Sequence, residues 1–155
     1  MKPLLAVLPA ALVIAAGCGG SSSSSTPVNA TRPAAKPDIA TATTSLGKVL
    51  VDGQGRTLYR FEKDHGAASS CYGACASAWP PLTSPGKAAA ASGVTASELG
   101  ASPRKDGDAG VTYFGHPLYT FAGDRKPGDV KGQEVDAFGG EWYALSPTGK
   151  TIEGD

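Results

Sequence analysis

Three cysteines are the side chains of this sequence best suited to covalent or metal chemistry: Cys18, Cys71 and Cys75. Cys71 and Cys75 are close enough in sequence for a disulfide that closes a very small loop. Two thiolates at this spacing also suit a soft metal ion such as copper, with His65 or His116 completing the ligand set. Which chemistry applies depends on whether the chain is exported to an oxidising compartment.

The N-terminal residues have the pattern of a secretory signal peptide. Lys2 precedes an apolar run from Leu4 to Ala16. That run is shorter than the roughly 20 residues a membrane-spanning helix needs. Five serines, Ser21 to Ser25, follow almost at once, which argues against the start of a buried core helix. The pattern predicts export of the chain.

The residues before the first cysteine, Ala15-Ala16-Gly17-Cys18, resemble the lipobox of bacterial lipoproteins. The lipobox usually has a larger aliphatic residue where this chain has Ala15. The resemblance implies cleavage before Cys18, lipid on its sulfur and an acylated amine, which together give durable anchoring. We therefore predict a signal peptide over residues 1–17 and a protein anchored at the cell membrane, facing the extracytoplasmic side.

Assigning Cys18 to lipid leaves Cys71 and Cys75 as an even pair outside the cytosol, and we predict a disulfide between them. The copper site with His65 or His116 remains the alternative. We predict no cofactor, and haem attachment in particular is not supported, because its Cys-x-x-Cys-His pattern is absent from the sequence.

Composition divides the remainder of the chain into a tether and one domain. Residues 18–44 are rich in Gly, Ser, Thr, Pro and Ala, which predicts a flexible linker. Residues 45–155 then form one domain, because they suffice for a single core. After removal of residues 1–17, 13 Lys and Arg face 14 Asp and Glu. No basic stripe is present, so nucleic-acid binding is not expected. Lys87, Arg104, Lys105, Arg125 and Lys126 are scattered and predict a solvated surface.

Strand signals dominate the domain. The runs 48–51 and 56–61 flank a Gly-rich turn and predict a hairpin, and the runs 111–114 and 118–121 predict a second one. Further strand signals lie at 141–145 and 150–152. Only residues 74–79 and 95–98 suggest short helical turns. We predict an all-β or β-dominated fold, a small barrel or sandwich built from two related hairpin repeats.

The two hairpins carry an internal repeat. Residues 58–64, Leu-Tyr-Arg-Phe-Glu-Lys-Asp, align with residues 118–124, Leu-Tyr-Thr-Phe-Ala-Gly-Asp. A second echo aligns Trp79 to Leu82 with Trp142 to Leu145. Because the match includes an added Asp after a turn each time, duplication explains it better than chance. The repeats span about 45–83 and 104–150.

These repeats resemble the bacterial secreted-repeat lipoprotein family, which has a Tyr-x-(Phe/Trp/Tyr)-x-x-Asp motif. The residues that carry the resemblance are Tyr59, Phe61, Asp64, Tyr119, Phe121, Asp124, Trp79 and Trp142, with Cys71 and Cys75 after the first copy. The resemblance implies no catalytic residues and no established biochemical role.

The motif has two interpretations. In the first, Tyr59, Phe61 and their copies fill the core, and Asp64 and Asp124 cap the following loops by accepting backbone N–H groups. In the second, the two aspartates form a site for a cation or a polar ligand. We favour the first. No nucleophile elbow, zinc-protease helix or phosphate loop occurs in the sequence, so we expect a non-catalytic, monomeric surface module with an unidentified protein or small-molecule partner. The alternative is a copper or redox accessory protein.

Overall fold

The computed structural model describes residues 38–154, and those residues form a strand-dominated domain. The predicted signal peptide, Cys18 and most of the predicted linker lie outside them. The strands, numbered in chain order, are β1 Ile39–Thr44, β2 Gly47–Asp52, β3 Tyr59–Phe61, β4 Leu99–Arg104, β5 Gly107–Tyr113, β6 His116–Pro117, β7 Val135–Ala137 and β8 Gly140–Ala144. One short helix, α1, spans Ala74–Ala78, and a single 3-10 turn spans Ala96–Glu98.

The strands form three small antiparallel sheets in a sandwich-like arrangement, and these sheets do not close into a barrel. β1 pairs with β2, β8 lies between β3 and β7, and β5 lies between β4 and β6. The β-dominated fold predicted from the sequence is confirmed. Within residues 38–154, no helix has the length and apolar character needed to cross a membrane.

The predicted linker boundary is wrong at its C-terminal end. The linker was expected to run to residue 44, but β1 begins at Ile39 and pairs with β2 along its whole length. Ile39 is fully buried, and residues 89–91 hold its backbone by hydrogen bonds. The Thr- and Ala-rich composition concealed this strand, because alanine is depleted in strands and both residues are also common in linkers.

The strand that carries the first motif copy belongs to a sheet shared by both repeats. β3, from the first repeat, pairs with β8, from the second, and Phe61 lies opposite Trp142. The first predicted hairpin is therefore only partly formed: a bridge joins Val51 to Thr57, while the main partner of β2 is β1. The Gly-rich turn after β2 is formed, but most of the strand hydrogen bonds of β2 are made with β1 and not with the chain that follows the turn.

Two apolar clusters share the interior, and neighbouring residues of one strand serve both. Leu58 and Leu118 belong to one cluster, whereas Tyr59 and Tyr119 belong to the other. Successive side chains of a strand point to opposite faces, so a Leu-Tyr pair fills both cores at once. This accounts for the leucine that precedes the tyrosine in each repeat.

Candidate functional site

The two motif copies are connected crosswise through their tyrosines and aspartates. The Tyr59 hydroxyl donates to Asp124 Oδ2 at 2.7 Å, and the Tyr119 hydroxyl donates to Asp64 Oδ2, also at 2.7 Å. Both tyrosines are fully buried, and both aspartates are buried. Each repeat thus supplies the phenol that satisfies the carboxylate of the other repeat.

The second oxygen of each aspartate holds the loop that follows its own strand. Asp64 Oδ1 accepts the backbone N–H of Ser70 at 2.7 Å and its hydroxyl at 2.8 Å. Asp124 Oδ1 accepts the backbone N–H of Lys131 at 2.9 Å. These bonds are the loop caps that the first interpretation of the motif requires. Both oxygens of each carboxylate have a donor.

The tyrosine hydroxyls accept hydrogen bonds as well as donating them. The Tyr59 oxygen accepts the backbone N–H of Gly132 at 3.2 Å, and the Tyr119 hydroxyl lies 2.7 Å from Ser69 Oγ. Gly132 is required here, since a Cβ at this position would lie 2.8 Å from Tyr59 Cζ and from the Trp79 ring. The backbone of this loop approaches the site more closely than any side chain would allow.

Burial dominates the ionisation of these groups. It raises the pKa of Tyr59, and the hydrogen bond to Asp124 raises it further. Burial likewise raises the pKa of Tyr119. The pKa of the Asp124 carboxyl is also raised, because its loss of water outweighs the hydrogen bonds from Tyr59 and Lys131. Both phenols keep their protons and act as hydrogen-bond donors at neutral pH.

A column of four aromatic rings lies beside the crossed pairs, and the repeats alternate along it. Its members in order are Phe61, Trp142, Trp79 and Phe121, with centroid spacings of 4.1, 3.9 and 4.3 Å. Tyr59 meets Trp79 edge-on at 5.4 Å, and Tyr119 meets Trp142 edge-on at 5.2 Å. Stacked and edge-to-face contacts of this kind add to the stability gained from burial alone. The motif aromatics therefore form the centre of the core.

Cys71 and Cys75 form a disulfide, with Cα atoms 5.2 Å apart. In this state neither sulfur is a thiolate, so neither can serve as the soft ligand that the copper alternative needs. His65 is exposed, and His116 is half-buried near Arg60. Among residues 38–154, no three His, Cys, Asp or Glu side chains come together as potential metal ligands.

The sequence analysis misplaced Arg104, which we expected on a solvated surface. Its guanidinium donates to Ser69 Oγ at 2.8 Å and to the backbone oxygen of Cys71 at 2.9 Å. It also pairs with Asp106 at 2.7 Å, which raises the pKa of Arg104 against the effect of burial. Arg104 thereby ties β4 to the disulfide loop. The only available signal was its position at the end of a strand.

Taken together, the motif side chains are occupied with one another and with loop backbone. The aspartates are buried, and each oxygen accepts a hydrogen bond from within the domain. The arrangement therefore ties the two repeats together through buried side chains.

Comparison with known proteins identifies one protein family, which matches two segments of the domain. Residues 40–83 and 100–146 match a family described as a secreted repeat of unknown function. The two matched segments coincide with the two halves that exchange the Tyr–Asp hydrogen bonds. No curated protein and no solved structure matches the chain.

Proposed function

This chain belongs to the secreted-repeat family, and on that premise we propose that it is a non-catalytic envelope module, held at the extracytoplasmic face of the cell membrane by lipid on Cys18. The observation that supports the non-catalytic part is that Asp64 and Asp124 are both buried and each accepts a hydrogen bond from the tyrosine of the other repeat. The side chains of the repeat motif are buried and bonded to one another, so their role is to hold the fold together. A function must then come from the surface of the module and from its location.

The location is supported by two independent features. The leader up to Ala16, followed by small residues before Cys18, fits processing as a lipoprotein. The Cys71–Cys75 disulfide fits an oxidising compartment, since cytosolic thiols are normally kept reduced. Several acyl chains on one cysteine give anchoring that does not reverse easily, and the residues after Cys18 would hold the domain away from the bilayer.

Mass spectrometry of the native protein tests this proposal. We expect an N-terminus at Cys18 carrying a diacylglyceryl group and an N-acyl chain, and recovery in the membrane fraction. The variant Cys18→Ser should lose both the lipid and the membrane association. The matched control is the double variant C71S/C75S, which removes the other two sulfurs and should stay with the membrane. An uncleaved leader, or native Cys18 without lipid, would overturn the proposal.

The alternative of a copper or redox accessory protein requires reduced thiols at Cys71 and Cys75. A thiol titration of denatured protein purified without reductant distinguishes the two functions. We expect no free thiol and no copper uptake by the native protein. Two titratable thiols together with stoichiometric copper binding would favour the alternative.

A further inference from the structure

The two repeats share a core but differ in the side chains that point outward from β3 and β8. Arg60 alternates with the buried residues Tyr59 and Phe61, so it lies on the opposite face of the sheet. The outward residues of this face and their aligned counterparts are Arg60 with Thr120, Glu62 with Ala122, and Tyr143 with Pro80. The first member of each pair carries a charge or a hydroxyl on a long side chain. The aligned counterparts have shorter side chains at these three positions, so this group of polar side chains occurs only once in the domain.

These side chains line a small pocket. The pocket has a volume of about 110 Å³ and is bounded by Arg60, Glu62, Tyr143, Thr151 and Glu153. Pockets for drug-sized ligands have volumes of roughly 300–1,000 Å³, so this one suits only a small ligand.

Arg60 lines this pocket and is the one positively charged residue among its lining side chains. Its Nε is buried without a hydrogen-bond partner in the part of the chain that the structure describes. His116 Nδ1 is in the same state nearby, and burial together with the Arg60 charge lowers the pKa of His116. The residue aligned with His116 is Arg56, whose guanidinium pairs with Asp52 at 2.7 Å. Of the two arginines of the first repeat, Arg56 is therefore paired with a carboxylate, whereas Arg60 lines the pocket.

Two carboxylates face the same pocket from its rim. Glu62 and Glu153 are both exposed, and both contribute to holding the pKa of Tyr143 at about 12, after the larger effect of the Tyr143 hydrogen bond to Glu141. The pocket therefore presents one guanidinium and two carboxylates within reach of a single small molecule. A simple anion would be repelled by the carboxylates, and a simple cation would be repelled by Arg60.

We propose that this pocket binds a small zwitterionic α-amino acid, with its carboxylate on Arg60 and its ammonium group between Glu62 and Glu153. A planar guanidinium matches a carboxylate through two parallel hydrogen bonds, and an ammonium group offers its donors to two acceptors. Tyr143 and Thr151 complete the lining of the pocket, and the Tyr143 hydroxyl donates to Glu141. This inference rests on the proposed function in one respect: it makes the proposed envelope module a module that binds a small ligand.

The test is a titration of the full-length protein in detergent with L-alanine. NMR follows binding through the backbone amide resonances of Tyr143 and Thr151. We expect saturable shifts with a Kd on the order of 1 mM. Acetate and methylamine, which each carry one of the two charges, should bind at least about tenfold more weakly, since each leaves a charged group of the pocket unpaired. Equal affinity for acetate would overturn the assignment of a zwitterion.

Variants that install residues of the second repeat test the site, and a variant outside the pocket serves as the control. Arg60→Thr and Glu62→Ala install the aligned residues Thr120 and Ala122, and each should weaken alanine binding at least about tenfold. Arg125→Thr, at an exposed arginine away from the pocket, should leave the affinity unchanged. Glu62 is exposed, so its variant tests the site even if Arg60→Thr fails to fold. No saturable shift in the native protein, or unchanged affinity in Glu62→Ala, would overturn the site. A Cys18 without lipid would overturn the anchoring alone.

Discussion

Tyr59 and Tyr119 lie side by side and exchange both of their backbone hydrogen bonds, at N···O distances of 2.8 and 3.0 Å. Their side chains then diverge, and each phenol ends on the aspartate of the opposite repeat. The point where the two copies meet is therefore also the point where each copy depends on the other. A single repeat would leave a buried tyrosine hydroxyl without its acceptor and one oxygen of a buried aspartate without its donor.

Removing one phenol tests this dependence. Tyr59→Phe should lower the free energy of unfolding by about 1–3 kcal/mol, because Asp124 Oδ2 stays buried and loses its donor. Urea denaturation followed by tryptophan fluorescence measures the change. The control is Tyr72→Phe, since the partly exposed Tyr72 ring lies under Arg104, a contact that phenylalanine keeps. Equal losses in the two variants would contradict the role assigned to the crossed pair.

The raised pKa of Asp124 predicts how stability depends on pH. Burial makes the folded state hold the Asp124 proton to higher pH than the unfolded state does. In the window from the ordinary Asp pKa of about 4 up to the raised value, the folded state binds more protons, so this residue makes stability fall as pH rises. Asp124→Asn keeps a neutral side chain and should remove this part of the slope. Urea denaturation of both proteins between pH 4 and pH 7 gives the comparison, and identical slopes would refute it.

The disulfide should contribute measurably to the stability of the domain. The double variant C71A/C75A should lose at least about 2 kcal/mol, because the cross-link restricts the unfolded chain and also fixes the loop that Arg104 holds. Reductant should lower the melting temperature of the native protein and leave the double variant unchanged. A native protein insensitive to reductant after full reduction would contradict this expectation.

Each of two hairpin turns has a phenylalanine in the left-handed backbone region. Replacing it by asparagine should stabilise the protein in one turn and not in the other. Phe138 has φ 58° and precedes Gly139 in the turn between β7 and β8, where asparagine fits better. Phe138→Asn should therefore raise the free energy of unfolding by about 1 kcal/mol. Thermal denaturation measures this gain.

The other turn supplies the contrast for that measurement. Phe114 has φ 47°, but its ring packs over Gly149 and meets Tyr113 edge-on at 4.8 Å. Phe114→Asn should lose these contacts and give no gain in stability. A stabilisation of equal size in both variants would show that the ring contacts of Phe114 contribute nothing.

Local sequence patterns predicted the elements better than their partners. The helical turn near Ala74 and the strand near Trp142 were predicted, because apolar alternation and proline positions act over a few residues. The pairing of β3 with β8 was missed, since it joins residues far apart in the sequence. Arg104 was misplaced for the same reason: its partners Ser69 and Cys71 lie in a distant loop.

The sequence by itself determined the duplication and the β-dominated class, because these depend on composition and on residues close in the chain. It favoured a disulfide between Cys71 and Cys75 over a copper site, and the structure shows that disulfide. Only the tertiary structure decided that Tyr59 serves Asp124 and Tyr119 serves Asp64. A repeated motif looks the same whether each copy pairs internally or with its twin. The choice is made by which strands lie side by side, and that follows from packing the whole core at once.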